Sequence, residues 1–227
     1  MDQNANPTSC PLGEIDCPQF DRIDQLNSEI HKLYREIEAL SQQVHTDALT
    51  GLHNRRQMLK SLNYELERTR RTCLPTSLIL IDVDLFKRVN DRYGHLIGDR
   101  ALLHIASTIR SAVRKLDIPC RFGGEEFAII LPSTPLSIAL QVAERIRSAI
   151  ADSPLVCSEL EEPLALSASI GITASTQVAT EKLYNVDTAS QHMLKEADSY
   201  LYQAKSQGRN CVCYPDLRLN KTENAPV

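Results

Sequence analysis

The stretch Gly123-Gly124-Glu125-Glu126-Phe127 constrains the fold of this chain more than any other. Two adjacent glycines let a backbone turn sharply, and the flanking segments 119–122 and 127–131 are typical of two β-strands joined by a hairpin. On such a ribbon the side chains of Glu125 and Glu126 would point to opposite faces. We therefore expect a hairpin with two carboxylates at its rim, where they can bind a metal ion.

A second acidic element lies upstream of the hairpin. The apolar run 78–81 predicts a strand buried on both faces, and it ends in Asp82-Val83-Asp84. Burying an unpaired carboxylate is unfavourable, so acidic residues at a strand end are better placed beside a site at the sheet edge than in a core. Asp82 and Glu125 are therefore our candidate pair of metal ligands.

Composition limits the classes of function. The chain has 227 residues, 42% of them hydrophobic, which is enough for one domain with an appendage. A net charge of −4 argues against a protein that covers nucleic-acid backbone. No apolar segment reaches the roughly 18 residues of a membrane span, so we expect a cytoplasmic protein with no membrane and no nucleic-acid partner.

Cysteine usage also favours a reducing compartment, since an odd count of seven spread along the chain does not suggest a disulfide framework. Cys211 and Cys213 alternate along a predicted strand, where packing is the first explanation. Cys10 and Cys17 could join His31 or His45 around a metal ion or act in redox sensing. Their spacing, however, matches no common zinc pattern.

A heptad pattern precedes the domain. Residues 1–20 are polar and predicted to be flexible, whereas 21–45 carry apolar residues at steps of three and four: Ile23, Leu26, Ile30, Leu33, Ile37, Leu40 and Val44. β-Branched or leucine residues at these positions favour a parallel two-stranded coiled coil about 33 Å long. The alternative is a helix packed on its own domain, but that usually needs a wider apolar stripe.

The remaining pattern predicts an α/β (α+β) fold. Asp47 or Thr50 is expected to cap a helix that reaches about Thr69, and further helices are predicted after Asp99, over 136–150 and over 189–206. With a strand over 164–174, this order indicates a central mixed sheet of about five strands flanked by helices. We predict that this domain spans 46–214 and that 215–227 form a flexible tail.

Several motifs in order resemble the GGDEF family of diguanylate cyclases. They are 47–56 (DALTGLHNRR), 82–87 (DVDLFK), 90–95 (NDRYGH) with Gly98-Asp99, the GGEEF stretch itself, 169–172 (SIGI), and Ala197-Asp198 followed by Lys205 and 208–210 (GRN). The likeness runs from about Thr46 to Tyr214. It implies a palm-like nucleotidyl-cyclase fold and the condensation of two GTP into cyclic di-GMP with release of pyrophosphate.

The resemblance also implies a metal site. Asp82, Glu125 and the Val83 carbonyl would bind Mg²⁺ or Mn²⁺, with two ions per half-site, and Glu126 would be a further ligand or lie near the nucleophile. Such ions neutralise a triphosphate and lower the pKa of an attacking hydroxyl. Taken singly, Asp82 could instead cap the next helix, and Glu126 could be a solvated hairpin residue.

For the nucleotide, the resemblance implies that Asn90 and Asp99 contact guanine. Lys87 with the backbone amides of Asp84, Leu85 and Phe86, together with Lys205 and Arg209, would hold the phosphates. Without the family, Asn90 would be interpreted as turn chemistry, Asp99 as a helix cap, and the two basic residues as a solvated helix end.

Two further expectations concern assembly and regulation. Each domain would bind one GTP, so two domains must meet, which makes catalysis a property of a homodimer held by the stalk. Arg114, Asp117 and Arg145 resemble the family's RxxD product-inhibition site, although a surface ion pair is the simpler explanation for Arg114 and Asp117. A regulatory protein on the stalk is also expected. The rival functions are a weak GTP or cyclic di-GMP receptor module and an interaction module in which the coiled coil does the work.

Overall fold

A computed structural model describes residues 18–43, 45–175 and 185–216. The chain divides into two compact units, Met1–His45 and Thr46–Val227. In the first unit, helix α1 covers Pro18–Gln43 and so begins three residues before the predicted stalk. No helix among the described residues is long and apolar enough to span a membrane.

The second unit is built on the predicted mixed sheet of five strands. The strands are β1 (Thr76–Val83), β2 (Ile118–Arg121), β3 (Glu126–Leu131), β4 (Ala168–Ser175) and β5 (Val212–Cys213), arranged in the order β2-β3-β1-β4-β5. Strand β1 is central and antiparallel to both β3 and β4, whereas β5 pairs with β4 in parallel. All eight residues of β1 are buried, as its apolar run predicts.

Helices cover both faces of this sheet. They are α2 (Arg55–Thr72), α3 (Phe86–Tyr93), α4 (His95–Ala112), α5 (Leu136–Asp152) and α6 (Val186–Ser206). Alternate residues of β1 enter two separate cores: Ile79 and Ile81 pack with α3, α4 and α5, whereas Leu78 and Leu80 pack with α2 and α6. The sheet end that follows Val83 therefore lies between two helical layers.

One glycine fixes how closely α6 approaches the sheet. A Cβ atom added at Gly171 in β4 would lie 2.2 Å from the Ala197 carbonyl oxygen and 2.3 Å from the Leu201 nitrogen, both in α6. Only glycine lets the strand and the helix backbone come this close. The contact sets the position of α6, which carries Lys205.

The expected cap of the first domain helix was wrong. The structure caps α2 with Asn54, whose Oδ1 accepts a hydrogen bond from the Gln57 amide at 2.9 Å. Asp47 instead closes an earlier turn, in which its Oδ1 accepts hydrogen bonds from the Thr50 amide at 2.8 Å and the Thr50 hydroxyl at 2.7 Å. Helix α2 also continues to Thr72, three residues past the predicted end.

The apolar stripe of α1 is exposed within its unit. The exposed fractions of Ile23, Leu26, Ile30 and Leu33 are 54%, 45%, 47% and 52%. Nothing is described for the side chains of Ile37 and Leu40, and Val44 lies outside the described residues. Most of the two predicted flexible ends, over 1–17 and 217–227, also lies outside them.

Candidate functional site

Asp82, at the end of the central strand, forms an ion pair with Lys205. Its side chain is buried, with 8% of the residue exposed, and the Lys205 Nζ atom lies 2.8 Å from its Oδ2. Burial raises the pKa of Asp82, although Lys205 and Arg209 oppose the shift. A carboxylate that is buried this far with one flexible partner is ready to take another cation.

The acidic hairpin lies beside Asp82. The turn occupies 122–125, so Glu125 is outside the strands and Glu126 is the first residue of β3. Burial and the charge of Asp82 raise the pKa of Glu125, and the amide of Val83 donates to the Glu125 carbonyl at 3.2 Å. Glu125 and Asp82 are therefore close enough for their charges to interact, as the candidate pair requires.

The two hairpin glutamates do not follow simple strand alternation, because only one of them is in a strand. The pairing register places Glu126 opposite Asp82, yet its carboxylate folds over the turn: Oε2 would lie 2.6 Å from a Cβ added at Gly123. The first glycine of the motif thus makes room for this side chain. Glu126 therefore lies next to Asp82 and Glu125, but it does not form one metal-binding group of carboxylates with them.

An arginine that the sequence did not indicate holds the tip of the hairpin. The Nε and Nη2 atoms of Arg121 donate to the Gly124 carbonyl at 3.1 and 2.8 Å, and its Nη1 donates to Asp47 at 3.1 Å. Burial alone would raise the pKa of Asp47, but hydrogen bonds from Thr50 and Arg121 lower it. The turn before α2 is thereby tied to the residue that precedes Glu125.

Asp84 has a different role from Asp82. Its carboxylate accepts hydrogen bonds from the Ser167 hydroxyl at 2.7 Å, the Ser169 hydroxyl at 2.6 Å and the Asn210 amide at 3.0 Å. Its own amide donates to the Ser167 carbonyl at 2.9 Å. Because the backbone amide of Asp84 already donates a hydrogen bond, the amides of Leu85 and Phe86 remain for the predicted phosphate contact.

The predicted guanine-binding residues lie together where α3 meets α4. A Cβ added at Gly98 would lie 1.9 Å from the Asn90 Oδ1 atom, so glycine is needed for the Asn90 side chain to rest on α4. Asp99 is the next residue and is exposed. The two side chains thus offer an amide and a carboxylate on neighbouring helices.

The predicted phosphate-binding cations surround the same sheet end. Lys87 is exposed on α3, and within the described parts of the chain its side chain has no ion-pair partner. Lys205 and Arg209 both act on Asp82 through their charges. The backbone of Arg209 is left-handed, with φ of 67°, and this turns the chain back toward the sheet after α6.

The donor set suits a hard divalent cation in cooperation with a bound nucleotide. Within the described ranges, no three His, Cys, Asp or Glu side chains form a group able to hold a metal on their own. Mg²⁺ typically uses one or two carboxylates and completes its shell with phosphate oxygens and water. Asp82, Glu125 and the Val83 carbonyl fit that pattern, and Lys205 already supplies a positive charge at the same place.

The predicted product-inhibition residues also lie close together. The Arg114 amide donates to Asp117 Oδ2 at 2.7 Å, which closes a turn with the Asp117 carboxylate buried. The Arg145 guanidinium donates through Nε and Nη2 to the carbonyl of Ala112, the last residue of α4, at 3.0 and 2.6 Å. Exposed Arg114 thus follows the last residue of α4 by two positions in the chain, and the Arg145 guanidinium is bound to that same end of α4.

Arg121, Ser167 and Ser169 are the residues of this region that sequence reasoning missed. The sequence did contain a signal for two of them: Arg121 lies two residues before the glycine pair, and Ser169 lies in the family motif 169–172. Neither position indicates its partner, because Arg121 reaches Asp47 and Ser169 reaches Asp84 only through the fold.

The fold and site define a domain with an acidic site, next to the cations Lys205 and Arg209, at the end of its central strand. Residues 44–211 match the family described as diguanylate cyclase, GGDEF domain. The chain belongs to this family, which confirms the resemblance seen in the sequence. It is 45% identical over 167 residues to the response regulator PleD of Caulobacter vibrioides, an alignment that covers 74% of this chain and 35% of PleD.

Solved structures agree with the fold. The diguanylate cyclase SiaD of Pseudomonas aeruginosa, solved in complex with its activator SiaC, matches with a TM-score of 0.68 and 34% identity over 87% of this chain and 72% of SiaD. The coiled coil and GGDEF domain of DgcB from Caulobacter crescentus, in complex with c-di-GMP, matches with a TM-score of 0.69 and 26% identity over 86% and 98%. The chain spans 27 to 47% of the curated relatives' length.

Proposed function

We propose that this protein is a diguanylate cyclase that condenses two GTP into cyclic di-GMP and two pyrophosphates. The observation that carries the proposal is the buried Asp82, which lies beside Glu125 and whose ion pair, among the described residues, is with the flexible side chain of Lys205. This is the arrangement expected where a metal ion and a triphosphate enter together. The domain responsible comprises residues 46–214, preceded by a stalk over 21–45.

Each residue of the proposed site has its own role in the reaction. Mg²⁺ or Mn²⁺, as two ions per half-site, would supply charge neutralisation and acidify the attacking 3′-hydroxyl. Asp82, Glu125 and the Val83 carbonyl hold that charge, Glu126 assists from the hairpin, and Asn90 with Asp99 selects guanine. Lys205 leaves Asp82 for the incoming phosphates, which it binds with Arg209, Lys87 and the amides of Leu85 and Phe86.

The reaction requires two domains, because the 3′-oxygen of one nucleotide attacks the α-phosphate of the other. The exposed stripe of α1 supports a parallel coiled coil with a second copy of the chain, which would bury Ile23, Leu26, Ile30 and Leu33. A stalk of this kind also offers a surface to a regulatory protein, and the relative SiaD was solved with an activator.

Incubation of the purified full chain with GTP and magnesium, followed by chromatography of the products, tests the activity. We expect cyclic di-GMP and pyrophosphate. If GTP binds and no product forms, the receptor-module alternative is correct.

The double variant Leu26→Lys and Leu33→Lys should lower specific activity at nanomolar protein, whereas Ser28→Lys on the outer face of α1 should not. An equal loss of specific activity in the double variant and in Ser28→Lys would argue against the proposed coiled-coil interface.

Product inhibition is a separate part of the proposal. Cyclic di-GMP would bind at Arg114 and Asp117, with Arg145 completing the site from α5. The position of the Arg145 guanidinium at the end of α4 supports this arrangement. Arg114→Ala should weaken inhibition by added product with little change in the initial rate. An unchanged inhibition curve would remove the site from the proposal.

A further inference from the structure

Two thiols lie two residues apart in the segment that follows Lys205 and Arg209, the proposed phosphate-binding cations. Cys211 is partly exposed and its Sγ donates to the Ala204 carbonyl at 3.3 Å, whereas Cys213 is buried and its Sγ donates to Gln207 Oε1 at 3.5 Å. Burial, followed by the charge of Cys211 and a hydrogen bond with it, raises the pKa of Cys213. Both sulfur atoms therefore face the end of α6.

These thiols share partners with the nucleotide site. The Ala204 carbonyl that accepts from Cys211 also accepts from the Arg209 amide at 3.1 Å, and Ala204 directly precedes Lys205. The amide of Asn210, which lies between Arg209 and Cys211 in the chain, donates to Asp84. Gly208, Arg209 and Asn210 all have positive φ, so this loop keeps its shape through a small number of hydrogen bonds.

A bond between the two sulfurs requires the backbone to move. Residues two apart in a strand have Cα atoms about 6.6 Å apart, which is near the upper limit for a disulfide. A bridge therefore requires the chain to contract at Val212. Strand β5 consists of only two residues at the sheet edge, so this contraction disturbs little pairing with β4. Cys120 is a contrast, because burial raises its pKa to about 12 and leaves it unreactive.

We propose that Cys211 and Cys213 form a reversible intrachain disulfide that reports oxidation to the GTP site. With hydrogen peroxide as oxidant, the Cys211 thiolate attacks one peroxide oxygen, the O–O bond breaks, and Cys211 becomes a sulfenic acid. The other oxygen leaves as hydroxide and takes up the Cys211 thiol proton to form water. The Cys213 sulfur then attacks the Cys211 sulfur, the S–O bond breaks, and a second water carries away the Cys213 proton. The two thiols together supply the two electrons.

Oxidation removes both S–H donors from the end of α6. The Ala204 carbonyl loses one of its two partners, and the contraction at Val212 pulls on Asn210 and hence on Asp84. Arg209 then no longer has a fixed backbone from which to reach the phosphates. The expected consequence, which rests on the proposed cyclase function, is a KM for GTP raised severalfold with a smaller change in kcat.

Mass spectrometry tests the bond independently of activity. Tryptic peptide 210–218 holds both thiols and no other cysteine. After treatment of the full chain with hydrogen peroxide, this peptide should lose two hydrogen masses and regain them with dithiothreitol, while the exposed Cys73 forms no internal bridge. Failure to lose the two hydrogens, or the appearance only of overoxidised or interchain species, would overturn the proposal.

Kinetics then test the consequence. Cys211→Ser keeps a hydroxyl donor for Ala204 but cannot be oxidised, so its KM should equal that of the reduced protein and not respond to peroxide. Cys213→Ser is a second variant should the first fold poorly, while Cys73→Ser should respond as the wild type does. A disulfide that forms without changing KM would overturn the regulatory role. A protein that makes no product at all would overturn only the cyclase function.

Discussion

Asp82 and Asp84 lie two residues apart at the end of one strand and are equally buried, yet their surroundings oppose each other. Asp84 accepts three hydrogen bonds from neutral donors, which belong to β4, to the residue before it and to the loop after α6. Asp82, within the described ranges, has one ion pair, with Lys205, and burial raises its pKa. A carboxylate matched by fixed donors holds the fold together, whereas one left short of partners is available for chemistry.

The sharpest test of this contrast is Asp82→Asn. Product formation should fall by about two orders of magnitude or more, the scale seen when a group that stabilises transition-state charge is removed. Thermal stability should change little, because the substitution removes a buried charge together with its one ion pair. Chromatographic turnover and a thermal melt on the same sample provide the two readouts. Asp91→Asn, on the exposed face of α3, is the matched control.

Asp84→Ala should give the opposite profile. Three donors lose their acceptor, so the free energy of unfolding should fall by about 3 kcal/mol. Urea denaturation measures this loss. Activity per folded molecule should be reduced far less than in Asp82→Asn. If Asp84→Ala were fully stable and inactive, Asp84 would belong with the chemical site and the contrast would fail.

Lys205→Met sharpens the interpretation of Asp82. Without the lysine, Mn²⁺ should bind the nucleotide-free protein more tightly, because its carboxylate ligand is no longer neutralised. The KM for GTP should rise about tenfold, equivalent to about 1.4 kcal/mol of lost phosphate binding. Electron paramagnetic resonance of Mn²⁺ follows the first effect and steady-state kinetics the second. Lys195→Met, exposed ten residues earlier on α6, should change neither.

The smallest effect is expected at Asp47, which resembles Asp84 in being matched by donors. Asp47→Asn should lower stability by about 1 kcal/mol and kcat severalfold, since Arg121 holds the hairpin tip less firmly. The folded pKa is lowered, so this contribution is present above the ordinary value near 3.8 and is lost as pH falls through the lowered value. The difference in unfolding free energy from the wild type should therefore disappear in strong acid and persist at neutral pH.

Apolar pattern was sufficient to predict the sheet, because the run 78–81 and the run after Phe127 can bury their side chains only as central strands. The family motifs supplied the set of candidate site residues, and the roles of these residues stay a prediction. What could not be predicted is which donor meets which acceptor. Lys205 reaches Asp82 because α6 packs against the sheet. Asn54 caps α2, whereas Asp47 accepts a hydrogen bond from Arg121.

The close approach at Gly171 has a consequence for how this family member can vary. Lys205 lies in the last turn of α6, so its position relative to the sheet is set by backbone atoms in mutual contact. A single added methyl group there, as in Gly171→Ala, would lift the helix and displace Lys205 without changing any candidate site residue. The geometry of the site thus depends on a spacing between β4 and α6 that lies outside it.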